Sequence, residues 1–286
     1  MRNVARQQRL ADLRARIAVL EKRPLLPEGA ALLGGKGEQD AARGGDRKEL
    51  AALLGAPAGL LHEIHAEGQR DSGAAFGFAL GLACQLLTPA RPAILFLQLA
   101  HEGQEIGLPY GVGLKSFGID PARLVLGRLA TLTELLWAVE EAIACRAVAA
   151  VVVEVAGAPR GLDFTASRRL SLRAASGGAS VFLLRYGQER EASAARLRWR
   201  VAPAASQAFP FDGTAPGEAR WRVVLEKGRL EEGLAETAEF LVDWTKHGFA
   251  PATAAGEGAG PRRAHSRPSP YGSASAALGD RLPQTG

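Results

Sequence analysis

From about residue 47 to 185, short apolar runs alternate with segments whose apolar residues recur at helical spacing. This alternation predicts βαβ units, and therefore a mostly parallel sheet with helices on its faces. The alanine and valine run over 149–153 is continuous, as expected of a strand buried on both faces. The predicted strands are Leu60–Ala66, Ala93–Leu99, Leu124–Gly127, Ala149–Val155 and Ser180–Leu184, and the predicted helices span 73–87, 132–145 and 164–176.

Residues at the helix ends support these boundaries. Thr131 and Glu134 have the spacing of a capping box. Asp163 is placed to cap the helix that follows it, and Gly177-Gly178 is placed to end that helix. After residue 185 the pattern changes to β-rich segments separated by turns. We expect antiparallel strands there that extend the sheet, at Leu197–Val201, Trp221–Glu226 and Glu239–Trp244.

The two ends of the chain differ from this predicted core domain, which covers residues 47–248. Residues 1–24 predict a helix with one apolar stripe among arginines, followed by a linker over 25–46. The stripe requires a surface to pack against, and another subunit, a partner protein and the chain's own core remain alternatives. Residues 249–286 are rich in Ala, Gly, Pro, Ser and Arg, which predicts a disordered tail. The stripe consists of Leu10, Leu13, Ile17 and Leu20.

Composition narrows the functional classes only modestly. Hydrophobic residues make up 47% of the chain, so most of it can bury a core, and the net charge of +5 suits a polyanion or an acidic partner without identifying either. Cys84 and Cys145 lie in apolar helical stretches, which predicts buried small side chains rather than a disulfide or a metal pair. No segment has the length or apolarity of a membrane span or signal peptide. We therefore expect a cytoplasmic protein that neither binds a metal nor associates with a membrane.

The segment between the first strand and the first helix has the layout of a phosphate-binding loop. Gly68 and Gly73 stand at the G-x-x-x-x-G spacing of that motif. A working loop continues with Lys and Ser/Thr, which contact the phosphates and magnesium, whereas this chain has Ala74 and Ala75. We expect no useful hydrolysis and no ATP cofactor. The loop amides, with Arg70 and Ser72, leave weak anion binding open.

Acidic residues follow two of the predicted strands. Glu154 stands near the end of the fourth strand, where a Walker B carboxylate holds magnesium through water, although an acid at a strand end is also common without that role. His101 and Glu102 follow the second strand, and we interpret both as surface loop residues.

Arginines are the candidate contacts for DNA or a partner protein. Arg169 and Arg173 are one turn apart on the predicted 164–176 helix, and Arg168 precedes them. They suit phosphate, an acidic partner or simply a solvated helix face. Alternation places Arg198 and Arg200 on one face of a strand, where they could follow nucleic acid, and leaves the tryptophans in the core.

The order of these segments resembles the RecA core, and more closely the ImuA family of SOS-induced proteins, with a distant likeness to the division inhibitor SulA. The resemblance covers about residues 50–245. It rests on four stretches, which are Gly59 to Glu63, Glu134 to Glu141, Leu162 to Leu170 and Arg198 to Pro203.

The resemblance implies a RecA-like fold and an accessory role in error-prone translesion DNA synthesis. It also implies the partners ImuB, an inactive Y-family polymerase relative, and an error-prone DnaE-type polymerase, with RecA and DNA as further candidates. The family carries no catalytic residues over, in keeping with a pseudo-ATPase. Two other functions stay open, a divergent DNA-dependent ATPase of the RecA family and a SulA-like inhibitor of cell division.

Overall fold

The computed structural model describes residues 50–252, apart from 52, 56, 188–189, 207–214, 216 and 229–238. Nine strands are found there. Each predicted strand is present, with ends that differ from the prediction by a few residues. The strands are β1 (Leu61–Ala66), β2 (Ala93–Leu99), β3 (Leu124–Leu129), β4 (Val148–Ala156), β5 (Ser180–Tyr186), β6 (Leu197–Pro203), β7 (Arg220–Lys227), β8 (Glu239–Thr245) and β9 (Gly248–Pro251).

The strands form one mixed sheet in the order β3-β2-β4-β5-β1-β6-β7-β8-β9. All neighbours from β3 to β6 are parallel, and β6 to β9 are antiparallel. The predicted α/β class, with a mostly parallel sheet extended by antiparallel strands, is confirmed.

One strand direction was wrong in the prediction. β6 pairs in parallel with β1, with His62 opposite Leu197, and is antiparallel only to β7. β5 and β6 run in the same direction, and parallel strands all begin at the same edge of a sheet. The connection after β5 therefore returns the chain to that edge before β6 starts. Sequence alternation is the same for both directions, so it could not distinguish them.

Helices cover both faces of the parallel part of the sheet. The Thr131–Glu134 capping box is present, Asp163 Oδ1 accepts a hydrogen bond from the Ala166 amide at 2.8 Å, and Gly178 ends the last helix with a φ of 79°. The two short helices α2 and α3 were not predicted, because neither is long enough to carry a helical period. The α-helices that lie wholly within the described residues are α1 (Ser72–Cys84), α2 (Glu102–Glu105), α3 (Gly111–Ser116), α4 (Leu132–Ala144) and α5 (Phe164–Gly177).

Two apolar layers separate the helices from the sheet. Alternate residues of β4 serve them, since Val152 packs in the layer of α1 and Val153 in the layer of α4 and α5. α1 is apolar almost all round, and aromatic residues of the antiparallel strands pack against it. A methyl group added at Gly81 would lie 2.5 Å from Phe249 Cζ and 3.0 Å from Trp244 Cζ3. The glycine therefore permits close contact between α1 and this aromatic cluster.

The remaining expectations divide between the described residues and the ends of the chain. Cys145 is exposed, contrary to prediction, because it follows the last turn of α4, whereas Cys84 is half-buried and burial raises its pKa to about 11. Within the described ranges, no helix is long and apolar enough to cross a membrane. The predicted N-terminal helix, its stripe (Leu10, Leu13, Ile17, Leu20), the linker, and the tail from residue 253 onward lie outside those ranges.

Candidate functional site

The predicted phosphate loop is a tight turn that leads directly into α1. Gly68 is extended, Gln69–Asp71 form one turn of 3-10 helix, and α1 begins at Ser72. The Asp71 amide donates to the Gly68 carbonyl at 3.1 Å, and the Ser72 amide donates to the Gln69 carbonyl. These two amides are therefore engaged within the turn and do not point freely at an anion. Arg70 lies exposed in the same turn.

Ala74 and Ala75, which occupy the positions of Lys and Ser/Thr in a working phosphate loop, contribute to the packing of α1. Ala75 is fully buried in the apolar layer. Ala74 is half-buried, and its carbonyl accepts a hydrogen bond from Trp221 Nε1 of β7 at 2.9 Å. A methyl group added at Gly73 would meet nothing within 4 Å, so the glycine there is not required by packing. Ser72 is thus the one side chain in the first turn of α1 that could contact phosphate or magnesium, and no lysine accompanies it there.

Glu154 is buried near the end of β4, and protein groups satisfy both of its carboxylate oxygens. The Tyr186 hydroxyl donates to Oε1, and Gln98 Nε2 donates to Oε2 at 3.0 Å. Burial raises the pKa of the Glu154 carboxyl, and burial beside that carboxyl raises the pKa of Tyr186 far above its usual range. Burial thus disfavours the ionised form of Glu154, and both of its carboxylate oxygens are already occupied by protein donors.

Glu102 belongs to the same buried group, which corrects its interpretation as a surface residue; His101 is exposed as expected. The Glu102 carboxyl lies near the Ala156 backbone at the end of β4. Burial, followed by the nearby Glu154 charge, raises the Glu102 pKa, although the proximity of the Ala156 backbone opposes this effect. Within the described part of the chain, Glu102 Oε2 and Gln98 Oε1 have no hydrogen-bond partner. No group of three or more potential metal ligands occurs among these residues.

A groove of about 520 Å³ lies beside the start of α1, between α3 and the β6–β7 end of the sheet. Gly73 and Ala74 line it, together with Trp221. Among its described lining residues, Arg220 is the only cation, and its Nη2 donates to Asp243 Oδ2 at 2.8 Å. The groove therefore offers an apolar wall and no free positive charge for a polyphosphate.

Proteins of similar sequence give further information about this chain. No family model matches the chain. Protein ImuA from Caulobacter vibrioides strain NA1000 (CB15N), and Protein ImuA from strain ATCC 19089 of that species, are each 40% identical to it over 130 residues. The chain is therefore similar to proteins named ImuA over part of its length. The match covers 42% of this chain and 51% of each relative, so the chain spans about half the length of the curated relatives it matches.

The predicted resemblance to ImuA is thereby confirmed.

The structure also places the arginines of α5 that were predicted as contacts for DNA or a partner protein. Arg169 and Arg173 of α5 both pair with Glu140 of α4, the latter at 3.1 Å. Arg168 is exposed and has no ion pair within the part of the chain that the structure describes. Arg169 and Arg173 therefore share one side of α5, as their spacing predicted.

The strand arginines Arg198 and Arg200 share a sheet face, as predicted, but each has a carboxylate partner. Arg198 Nε donates to Glu63 Oε2 at 2.8 Å, and Arg200 Nε lies 3.3 Å from Glu226 Oε1. The pairing partly neutralises the surface that was a candidate to follow nucleic acid.

Sequence reasoning missed a buried polar cluster that Glu63 and His65 of β1 form with Arg198 of β6. Burial would raise the pKa of Glu63, but polar contact with His65 and the charge of Arg198 lower it to about 2. Burial lowers the pKa of His65. His62 faces the opposite side of the sheet, where its ring contacts Phe182, and burial lowers its pKa to about 3. Polar residues in the apolar run 61–66 were the available signal. The cluster joins β6 to β1. It favours the ionised form of Glu63 and the neutral form of His65.

Proposed function

We propose that this ImuA relative is a non-catalytic accessory protein of SOS-induced, error-prone translesion DNA synthesis. It acts by binding proteins: an ImuB-like inactive Y-family polymerase and an error-prone DnaE-type polymerase, with RecA as a further partner whose filaments it modulates. Its similarity to proteins named ImuA supports this setting. The RecA-like character of the fold belongs to the same proposal, and the parallel sheet with a turn-to-helix junction after β1 supports it.

The start of α1 is the observation that carries the non-catalytic role. A triphosphate brings several negative charges, and in a working site a lysine and a magnesium ion neutralise them. Here Ala74 and the buried Ala75 supply neither, and the amides of Asp71 and Ser72 are already engaged. Arg70 is the one cation of the turn. A divergent ATPase would have to build its phosphate site from that single exposed side chain.

The carboxylate that could hold a metal supports the same reading. Glu154 is closed off by Tyr186 and Gln98, and its raised pKa favours the protonated form. A magnesium site requires an ionised, accessible oxygen ligand. We therefore assign Glu154 to the stability of the strand ends.

Binding of the full chain to an ImuB-like protein, measured by biolayer interferometry with and without Mg-ATP, tests this proposal. We expect a complex whose affinity is unchanged by nucleotide, because the first turn of α1 has no cation to neutralise the phosphates. The matched variant Arg70→Ala removes the only cation of the turn and is expected to bind equally well. A complex that forms only with Mg-ATP, and is lost in Arg70→Ala, would instead identify a nucleotide switch.

A further inference from the structure

The outer surface of α4 and α5 carries apolar side chains that nothing in the described part of the chain covers. Trp137 is 65% exposed, Leu172 62% and Phe164 48%. The other three tryptophans of the chain are buried. Single exposed apolar residues are common, but a group on adjoining helices marks an interaction surface.

Ion pairs and helical spacing show that these side chains share one surface. Trp137 and Glu140 are three residues apart on α4, and Glu140 pairs with Arg169 and Arg173 of α5. On α5, Arg168 is four residues from both Phe164 and Leu172, so the three form one stripe. We call this surface the α4/α5 face, and it consists of Trp137, Glu140, Glu141, Phe164, Arg168, Arg169, Leu172 and Arg173.

The charges of the α4/α5 face are divided between its two helices. On the α4 side, Glu140 and Glu141 flank Trp137, and on the α5 side the three arginines of the face surround Leu172. Glu140 is satisfied within the chain, whereas exposed Glu141 and Arg168 have no ion pair among the described residues. A face that is acidic on one half and basic on the other is complementary to itself. A polyanion such as DNA would meet the acidic half with repulsion.

We propose that the α4/α5 face is a homodimer interface, occupied by a second copy of this chain. A two-fold axis parallel to the helices places α4 of each copy over α5 of the other. Such an axis sets acidic against basic halves, whereas an axis across the helices would set acid against acid.

The register of this dimer follows from contacts within one copy. α4 and α5 run in the same direction, because each returns the chain between parallel strands. Glu140 reaches both Arg169 and Arg173, so position 140 is level with about position 171, and Trp137 is level with Arg168. In the dimer, Trp137 therefore lies over Arg168 of the partner subunit, a cation–π arrangement. Glu141 comes within reach of the same arginine.

The size of the face predicts weak, salt-sensitive association. Each helix is about 20 Å long and two adjacent helices are about 20 Å wide, which places the interface at the small end of specific contacts. We expect dissociation in the micromolar range. The assignment extends the proposed protein-binding role but is tested without nucleotide, DNA or another protein, so the failure of either proposal can be recognised separately.

Sedimentation equilibrium of the full chain over a concentration series tests the interface, with Trp137 fluorescence as a second readout. Arg168→Glu and Glu141→Arg are each expected to weaken dimerisation about tenfold or more. The double charge swap in one chain is expected to restore it, which a merely structural role would not produce. Arg123→Glu, exposed beside β3, is the matched charge control and should leave dimerisation unchanged.

Three results would overturn this assignment. One is a chain that stays monomeric at the highest concentration reached. Another is self-association that the two charge reversals do not weaken or the double swap does not restore. The third is protection of Trp137 from acrylamide quenching by single-stranded DNA rather than by self-association, which would identify a nucleic-acid surface.

Discussion

Two glycines of α1, Gly73 and Gly81, give a prediction whose magnitude can be worked out from the structure. A methyl group at Gly81 would lie 2.5 Å from Phe249 Cζ, far inside the ordinary carbon–carbon contact of about 3.5–4.0 Å. A methyl group at Gly73, two turns earlier on the same helix, would meet nothing within 4 Å. Gly81→Ala and Gly73→Ala therefore make the same chemical change with and without an overlap.

Two opposing effects set the magnitude. Alanine stabilises a helix over glycine by about 1 kcal/mol, and somewhat less near a helix end. Overpacking a core costs about 1–3 kcal/mol, and overlap with two aromatic rings places Gly81→Ala in the upper part of that range. We expect Gly81→Ala to lower the free energy of unfolding by about 1–2 kcal/mol, and Gly73→Ala to raise it by about 0.5–1 kcal/mol.

Urea unfolding and thermal melting of both variants measure this difference. One kcal/mol corresponds to about 2–4 °C in Tm for a domain of this size. Equal stability of the two variants, or a more stable Gly81→Ala, would refute the close packing of α1 against Phe249 and Trp244.

Two further predictions concern Glu154 and the cap of α5. Because burial raises the pKa of Glu154, the folded state binds that proton more tightly than the unfolded chain, and stability falls as pH rises through the folded pKa. Glu154→Gln cannot ionise and keeps an acceptor for Tyr186, but its amide nitrogen faces the Gln98 Nε2 donor. Its stability relative to the natural protein should therefore rise between about pH 4 and pH 8, by up to about 1.4 kcal/mol per unit of raised pKa, and urea titrations that find no such rise would contradict this. Asp163→Ala removes the 2.8 Å cap on Ala166 and should cost about 1 kcal/mol in thermal unfolding, whereas Asp163→Asn, which keeps the acceptor, should cost much less; equal losses would argue against the cap.

Local sequence signals predicted most of the elements of this fold. The continuous valines of β4 require burial on both faces, and Thr131, Asp163 and Gly178 act through neighbours a few residues away. These interactions are encoded within a short window, so they can be recognised without the tertiary structure.

Long-range pairings account for what could not be predicted. Arg198 meets Glu63 across 135 residues, and this contact decides whether the arginine is available to a partner. The direction of β6 depends on the path of its connection, which alternation does not encode. The burial of Glu102 depends on its position beside the β4 backbone. At the start of α1, Ala74 and Ala75 were evident from the sequence, but the engaged amides of the turn were not.

Binding and hydrolysis of Mg-ATP by the purified full chain, with and without single-stranded DNA, test the central claim most directly. Ala74→Lys restores a cation at the loop, and Arg70→Ala removes the one that is present. The account predicts no DNA-stimulated hydrolysis by the natural protein, and none by Ala74→Lys, because the Asp71 and Ser72 amides stay engaged in the turn. Clear DNA-stimulated hydrolysis by the natural protein, abolished by Arg70→Ala, would contradict the account and establish a working nucleotide site at this loop.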